Sequence, residues 1–333
     1  MSTQHTQRTT LVTGGAGFIG SHLVRRLLER GDRVTVIDDL STGLRENLAG
    51  LDEARLVVHE ATVSRALPGL DPDAFDEIYH LAAAVGVRLV IERPIHTIET
   101  NVHETSAVLE FAAARGTPLL IASTSEVYGK SAKTPFCEDD DVVYGPTIYS
   151  RWSYACSKAI DEYLALAYHA QRGLPVVIVR FFNTVGPRQV GEYGMVLPRF
   201  VSAALRNETI EVYGDGRQSR CFCDVRDVVR VLPAMPGNPR CVGRVFNLGS
   251  DRPITIRELA ELVKGTLESA SEIVTVPYDQ AFGAGFDDLR ERRPDLSRIR
   301  EATGFQPQIG LVQTIRDLAE DIRQREVPLE TGG

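Results

Sequence analysis

The chain has 333 residues, of which 43% are hydrophobic and 25% charged, and its formal net charge is −8. That length exceeds what one hydrophobic core usually fills, so one large or two closely joined domains are expected. An acidic chain without a Lys/Arg block argues against nucleic acid or an anionic membrane as partner, and any anionic ligand must be met by local arginines and helix N-termini.

The polar first eight residues and the lack of an 18-residue apolar run predict neither a signal peptide nor a membrane span. Five cysteines, Cys137, Cys156, Cys221, Cys223 and Cys241, form no CxxC and have no His or Cys partner at ligand spacing. A reducing, cytoplasmic setting with no metal site is the expectation, with Cys221 and Cys223 as alternating buried strand residues.

In chain order, Thr10–Thr13 predicts a strand and Phe18–Glu29 a helix stopped by Gly31. Arg33–Ile37 is a second strand. Glu77–Leu81 and Pro118–Ser123 are further strands, with a helix over Asn101–Arg115 between them. Ser153–Gln171 predicts a long helix and Val176–Arg180 another strand. Strands alternating with helices imply a doubly wound parallel sheet with ligands at the carboxyl ends of its strands. After Asn183 short strands such as Glu211–Tyr213 and Val245–Leu248 mix with turns and shorter helices. The expected fold is thus α/β: a Rossmann-type domain over 1–182, with a segment near 221–248 threaded back into it. A smaller mixed α/β substrate-binding domain spans 183–333.

Thr13-Gly14-Gly15-Ala16-Gly17-Phe18-Ile19-Gly20 follows a strand and opens a helix. Gly14 permits the tight turn, Gly17 lets backbone approach a pyrophosphate, and Gly20 allows close helix–sheet packing. Asp38 ends the next strand, where a carboxylate accepts hydrogen bonds from the adenosine ribose and repels the extra phosphate of NADP. NAD is therefore the expected cofactor.

Tyr154 and Lys158 stand at i and i+4 on one helix face. A phenol with a pKa near 10 is a poor base, and a nearby ammonium favours its charged form. Such a tyrosine can take a proton from a sugar hydroxyl while hydride leaves the carbon. Ser123-Thr124-Ser125-Glu126 places polar groups just after a central strand.

Together these motifs resemble the extended short-chain dehydrogenases that act on nucleotide sugars. The resemblance runs over nearly the whole chain, through His80-Leu81-Ala82-Ala83, Asn101, Thr124 to Gly129, Arg180 to Arg188 and Val212 to Arg220. It implies NAD contacts from Phe18, Ile19, Leu81, Ala82, Ala83, Asn101 and Ser123 besides the glycines, Asp38, Tyr154 and Lys158. It implies a nucleotide-sugar site, for a UDP-sugar first of all. Asn183 and Arg220 would hold the diphosphate and Val196–Leu197 the base, with Ser125, Arg188 and Tyr213 nearby. It also implies a homodimer through an intersubunit four-helix bundle, and both long helices carry apolar residues on more than one face. One departure is Glu60-Ala61-Thr62, where many relatives place an Asp against adenine. His80 reads as a packing residue.

The shared chemistry of such enzymes starts with oxidation of the sugar C4 hydroxyl. Dehydratases carry Asp-Glu after the threonine, which Ser125-Glu126 does not match. UDP-glucuronate decarboxylases carry Thr-Ser-Glu and a late arginine, which resemble Thr124-Ser125-Glu126 and Arg292. The catalytic set by that resemblance is Thr124, Glu126, Tyr154, Lys158 and Arg292, with Arg292 also touching substrate. A 4-epimerase acting on UDP-glucose or UDP-glucuronate needs the same groups, so that reading stays open. A non-catalytic NAD-binding regulatory protein on this fold is a remote third, disfavoured by the intact Thr124, Tyr154 and Lys158.

Overall fold

The structure, a computed structural model, describes residues 7–86, 90, 92–191, 195–282 and 289–326. The chain alternates β1 (Thr9–Thr13), α1 (Phe18–Arg30), β2 (Arg33–Asp38), β3 (Leu56–Glu60), α2 (Val63–Ala66), β4 (Glu77–His80), α3 (Pro94–Ala113), β5 (Leu119–Thr124), α4 (Arg151–Arg172) and β6 (Val176–Phe181). Then follow β7 (Thr184–Val185), α5 (Val196–Leu205), β8 (Ile210–Tyr213), β9 (Ser219–Cys221), β10 (Cys223–Asp224), α6 (Val225–Val231) and β11 (Arg244–Leu248). The last elements are β12 (Pro253–Thr255), α7 (Ile256–Thr266), β13 (Ile273–Val276), α8 (Tyr278–Phe282), β14 (Glu291–Arg292), α9 (Ser297–Thr303) and α10 (Leu311–Glu326).

Seven strands form one sheet in the order β11-β6-β5-β4-β1-β2-β3. Every pairing in it is parallel. This is the doubly wound architecture expected from the alternating pattern. Its inner strands read as apolar runs because helices cover both faces. On one face Leu23, Val24 and Leu27 of α1 pack with Val225 and Val228 of α6 and Ile299 of α9. On the other, Val108, Leu109 and Ala112 of α3 meet Ile78, Ile121 and Ile178 of the sheet. A separate core joins Leu197, Phe200 and Val201 of α5 to Leu259 and Val263 of α7 and Leu318 of α10.

The return of the chain to the sheet is made by α6, packed on α1, and β11, paired with β6. Among the described residues no helix is long and apolar enough to cross a membrane. The two long helices start earlier than their apolar pattern predicts. The first begins at Pro94 rather than Asn101, and the second at Arg151 rather than Ser153. Pro94 presets the helical φ at the first turn. The added turns place Ile95 and Ile98 on the surface, so no inward apolar stripe marked them. Cys221 and Cys223 are free, buried and at the adjoining ends of β9 and β10, as alternation predicted.

Candidate active site

A cleft of about 630 Å³ opens where β2, β5 and β6 end, and it runs from the glycine turn to Arg220 and Arg292. The glycine turn is built by steric exclusion. Gly14 has φ +71°, and a Cβ there would stand 2.7 Å from the Ala82 nitrogen. A Cβ on Gly20 would lie 2.0 Å from the Gly14 carbonyl oxygen, so α1 can start this close to the sheet only without a side chain. The turn is tied down by Gly14 N–H donating to the Ile37 carbonyl at 2.8 Å. The result aims the first N–H groups of α1 into the cleft, beside Gly17, Phe18 and Ile19.

Asp38 lies next to this turn and is nearly buried. It accepts from the N–H groups of Ala16 and Leu40, at 2.8 and 2.9 Å. Burial pushes its pKa up, and those donors act against the rise. Beyond Asp38 the cleft wall is Ala61, Thr62 and Val63, with Asn47 alongside. Glu60 ends β3 on the exposed side, so the short side chains of Ala61, Thr62 and Val63, none of them a carboxylate, stand in the wall there.

Leu81, Ala82, Ala83 and Ser123 line the same half of the cleft. Asn101 does not. It lies one layer behind, accepting from the Ala84 N–H at 2.8 Å and donating to the Ser157 hydroxyl at 3.2 Å. It braces the wall against α4 rather than facing the cavity. His80 is buried between the hydroxyls of Thr13 and Thr105, at 2.7 and 3.1 Å. Burial, then the Lys158 charge, lowers its pKa to about 3, so the ring is neutral and structural.

At the centre, Tyr154 and Lys158 project from α4 toward Thr124, Ser125 and Glu126. Tyr154 is nearly buried, and burial pushes its pKa up, followed by the Glu126 charge. A hydrogen bond with Thr124 opposes this rise. Lys158 is 2% exposed and donates to Asp161 at 2.8 Å.

The far half is assembled from distant segments. β14 pairs with β9 so that Arg292 stands in register with Arg220. Arg292 then reaches Glu126 at 3.2 Å, across 166 positions of sequence. Arg220 is held by the carbonyls of Ser219 and Leu289, at 2.7 and 2.9 Å. Asn183, Val196, Leu197 and Tyr213 complete this end. Arg188 is turned toward the first end: it has φ +68° and donates to Ser21 of α1 at 3.3 Å. It therefore stands beside the glycine turn rather than with Arg220.

Sequence reasoning missed several lining residues, among them Asn47, Gln189 and Arg199. Arg199 covers the Tyr213 ring at 3.9 Å. Its only sequence signal was a charge inside the apolar run of α5. Buried polar atoms without a partner collect along this cleft: Asn183 Nδ2, Thr184 Oγ1, Gln189 Oε1, Gln218 Oε1 and Arg292 Nε. Such atoms are costly unless a ligand satisfies them. A narrow cradle at a helix N-terminus, a carboxylate beside it and these groups fit a dinucleotide and a second polar ligand end to end.

A family model described as the NAD dependent epimerase/dehydratase family matches residues 10–249. The chain belongs to that family. NAD is therefore the cofactor, and the glycine turn and Asp38 fit it. Relatives of this epimerase/dehydratase chain include the UDP-N-acetyl-alpha-D-glucosaminuronate decarboxylase of Bacillus cytotoxicus, 38% identical over 96% of this chain and 99% of that one. UDP-glucuronic acid decarboxylase 1 of Arabidopsis thaliana is 38% identical over 95% of this chain and 70% of its own. Among solved structures, the NAD complex of Thermus thermophilus UDP-glucose 4-epimerase superposes with a TM-score of 0.80 at 28% identity, covering 95% and 99% of the two chains.

Proposed function

We propose that the protein oxidises C4 of UDP-glucuronate and then decarboxylates the 4-keto sugar, yielding a UDP-4-keto-pentose or UDP-xylose. The observation that carries this reading is the Glu126–Arg292 pair at 3.2 Å. Arg292 keeps its Nε buried and unpartnered, so one donor remains for a uronate carboxylate. A neutral sugar presents no such anion. The decarboxylase names carried by relatives at 38% identity support the same reading.

NAD, when bound, supplies the hydride acceptor at C4 and returns hydride at the end. Tyr154 takes the proton from the C4 hydroxyl, and the Lys158 ammonium stabilises the phenolate that this requires. The 4-keto uronate is a β-keto acid. Its C5–C6 bond breaks, carbon dioxide leaves, and the electron pair is delocalised onto the C4 oxygen. Thr124 and Tyr154 stabilise that oxygen. Glu126 and Arg292 orient the carboxylate and manage the proton that returns to C5. Asn183 and Arg220 hold the diphosphate, and Val196 and Leu197 the base. Arg188 is reassigned from the nucleotide sugar to the cofactor end by its contact with Ser21.

The second reading is 4-epimerisation of UDP-glucose or UDP-glucuronate, favoured by the likeness to the Thermus epimerase. Incubation with UDP-glucuronate and NAD, followed by NMR and carbon dioxide detection, separates the two. Carbon dioxide with a UDP-pentose establishes the decarboxylase. UDP-galacturonate without carbon dioxide establishes the epimerase. Turnover of the 2-acetamido uronate alone would assign the substrate of the Bacillus relative.

The exposed Ile95, Ile98, Ile160 and Tyr163 on α3 and α4 support a homodimer through these helices. A monomer in sedimentation at micromolar concentration would overturn it. Five free thiols fit a cytoplasmic protein. The separate core around α5, α7 and α10 supports a substrate-binding part distinct from the Rossmann part, in keeping with a division near residue 182.

A further inference from the structure

We propose that Asp161 is a positioning residue that keeps the Lys158 ammonium charged and aimed, and so tunes Tyr154. Tyr154, Lys158 and Asp161 follow one another at i, i+4 and i+7, so all three share one face of α4. Lys158 is 2% exposed and Asp161 is 0% exposed, with Nζ to Oδ2 at 2.8 Å. A fully buried ion pair is weak support for folding, because desolvation offsets its attraction and an apolar pair of the same size does as well. Its presence next to the catalytic tyrosine calls for another reason. A buried lysine that lacks an anion tends to give up its proton. A neutral Lys158 could no longer stabilise a phenolate.

The surroundings leave this task to Asp161. His80 of β4 faces Lys158 but is a neutral ring held by Thr13 and Thr105. Burial pushes the Asp161 pKa up, and the Lys158 ammonium first, then Thr105 of α3, act against the rise. Glu126 faces Tyr154 but is engaged by Arg292. Glu162, the neighbour of Asp161, is taken up by Arg180 at 2.7 Å. Asp161 Oδ1 remains buried and unpartnered, so the carboxylate is not saturated by protein donors and its charge stays directed at the lysine. Asp161 thus holds Lys158 on the same face of α4 as the tyrosine, one turn further along.

The inference rests on Tyr154 and Lys158 being the catalytic pair. Its test reads the contact without any substrate. The chain has four lysines, Lys130, Lys133, Lys158 and Lys264, so a protein labelled with 15N-lysine gives at most four ammonium signals. An ammonium sealed from water and bonded to a carboxylate exchanges its protons slowly. Lys133, ion-paired with Asp140, is 62% exposed and exchanges fast, and Lys130 is exposed as well. One ammonium signal should therefore persist at neutral pH in the wild type and vanish in Lys158→Met, which assigns it. It should also vanish in Asp161→Asn. The Asp161 charge by itself raises the Tyr154 pKa, so its direct loss moves the limb down, whereas loss of the Lys158 charge moves it up. With whichever nucleotide sugar the enzyme turns over, the second effect should prevail in Asp161→Asn and move the acid limb of kcat/KM up by about one pH unit, a roughly tenfold loss on the limb. KM and NAD affinity should stay within threefold. Asp161→Glu keeps the carboxylate and should keep both the signal and the limb. A signal that survives Asp161→Asn, or a limb that stays in place or moves down, overturns the proposal.

Discussion

Gly20→Ala tests the link between backbone packing and cofactor affinity. The added Cβ would stand 2.0 Å from the Gly14 carbonyl oxygen and 2.9 Å from the Gly15 Cα, where ordinary contact begins at 3.4 Å. Both neighbours are backbone, and the turn is anchored to Ile37 at 2.8 Å. Neither can swing aside as a flexible side chain would. The turn and the start of α1 must separate by about 1.4 Å to restore contact. A misplacement of about 1 Å at a preorganised site is worth about 100-fold. NAD affinity measured by calorimetry should fall by that factor, equivalent to about 2.7 kcal/mol. Gly265→Ala is the matched control. It lies in α7 with nothing within 4 Å of the new Cβ. There the same change should stabilise the protein by about 0.5–1 kcal/mol and leave NAD binding alone. A Gly20→Ala protein that binds NAD within threefold of wild type would refute the packing argument.

Three further outcomes are expected. Tyr154→Phe should lower kcat by about 10²–10⁴ with NAD binding retained, and near-wild-type turnover would remove Tyr154 from the chemistry. Glu126 raises the pKa of Tyr154 by its charge, so Glu126→Gln should move the acid limb of the rate profile to lower pH while slowing carbon dioxide release. An unmoved limb would mean that the two groups are uncoupled. His80 has a folded pKa of about 3 against an ordinary 6.5. On acidification the unfolded chain takes up a proton that the fold refuses, so stability is lost from about pH 6.5 downward to about 3. Between pH 7 and 5 this 1%-exposed ring should account for about 2 kcal/mol, seen as a lower urea midpoint. A midpoint equal at both pH values would count against a neutral buried His80.

The parts of the site that were legible in advance are the parts set by short-range geometry. Gly14, Gly17 and Gly20 announce a tight turn into a helix through spacing alone, and Tyr154 and Lys158 share a face through the helical repeat. Asn101 shows the limit. A polar residue on α3 was expected against the cofactor, and it is spent on Ala84 and Ser157 instead. Arg188 was placed with the substrate by its motif, and a left-handed backbone turned it to α1.

The order of strands and helices, the glycine turn, the acid at the end of β2 and the placing of Tyr154 and Lys158 on one helix face were therefore determined by the sequence itself. Each depends on neighbours within one or two turns of chain, where spacing and steric bulk decide conformation. The joining of Glu126 to Arg292, of Arg220 to Arg292 and of His80 to Thr13 and Thr105 was decided only by tertiary structure. These contacts depend on how β14 lies against β9 and how α3 packs over β4. Such register is set by the burial of whole apolar faces, and no local pattern around Arg292 or Thr105 records which partner the fold will bring.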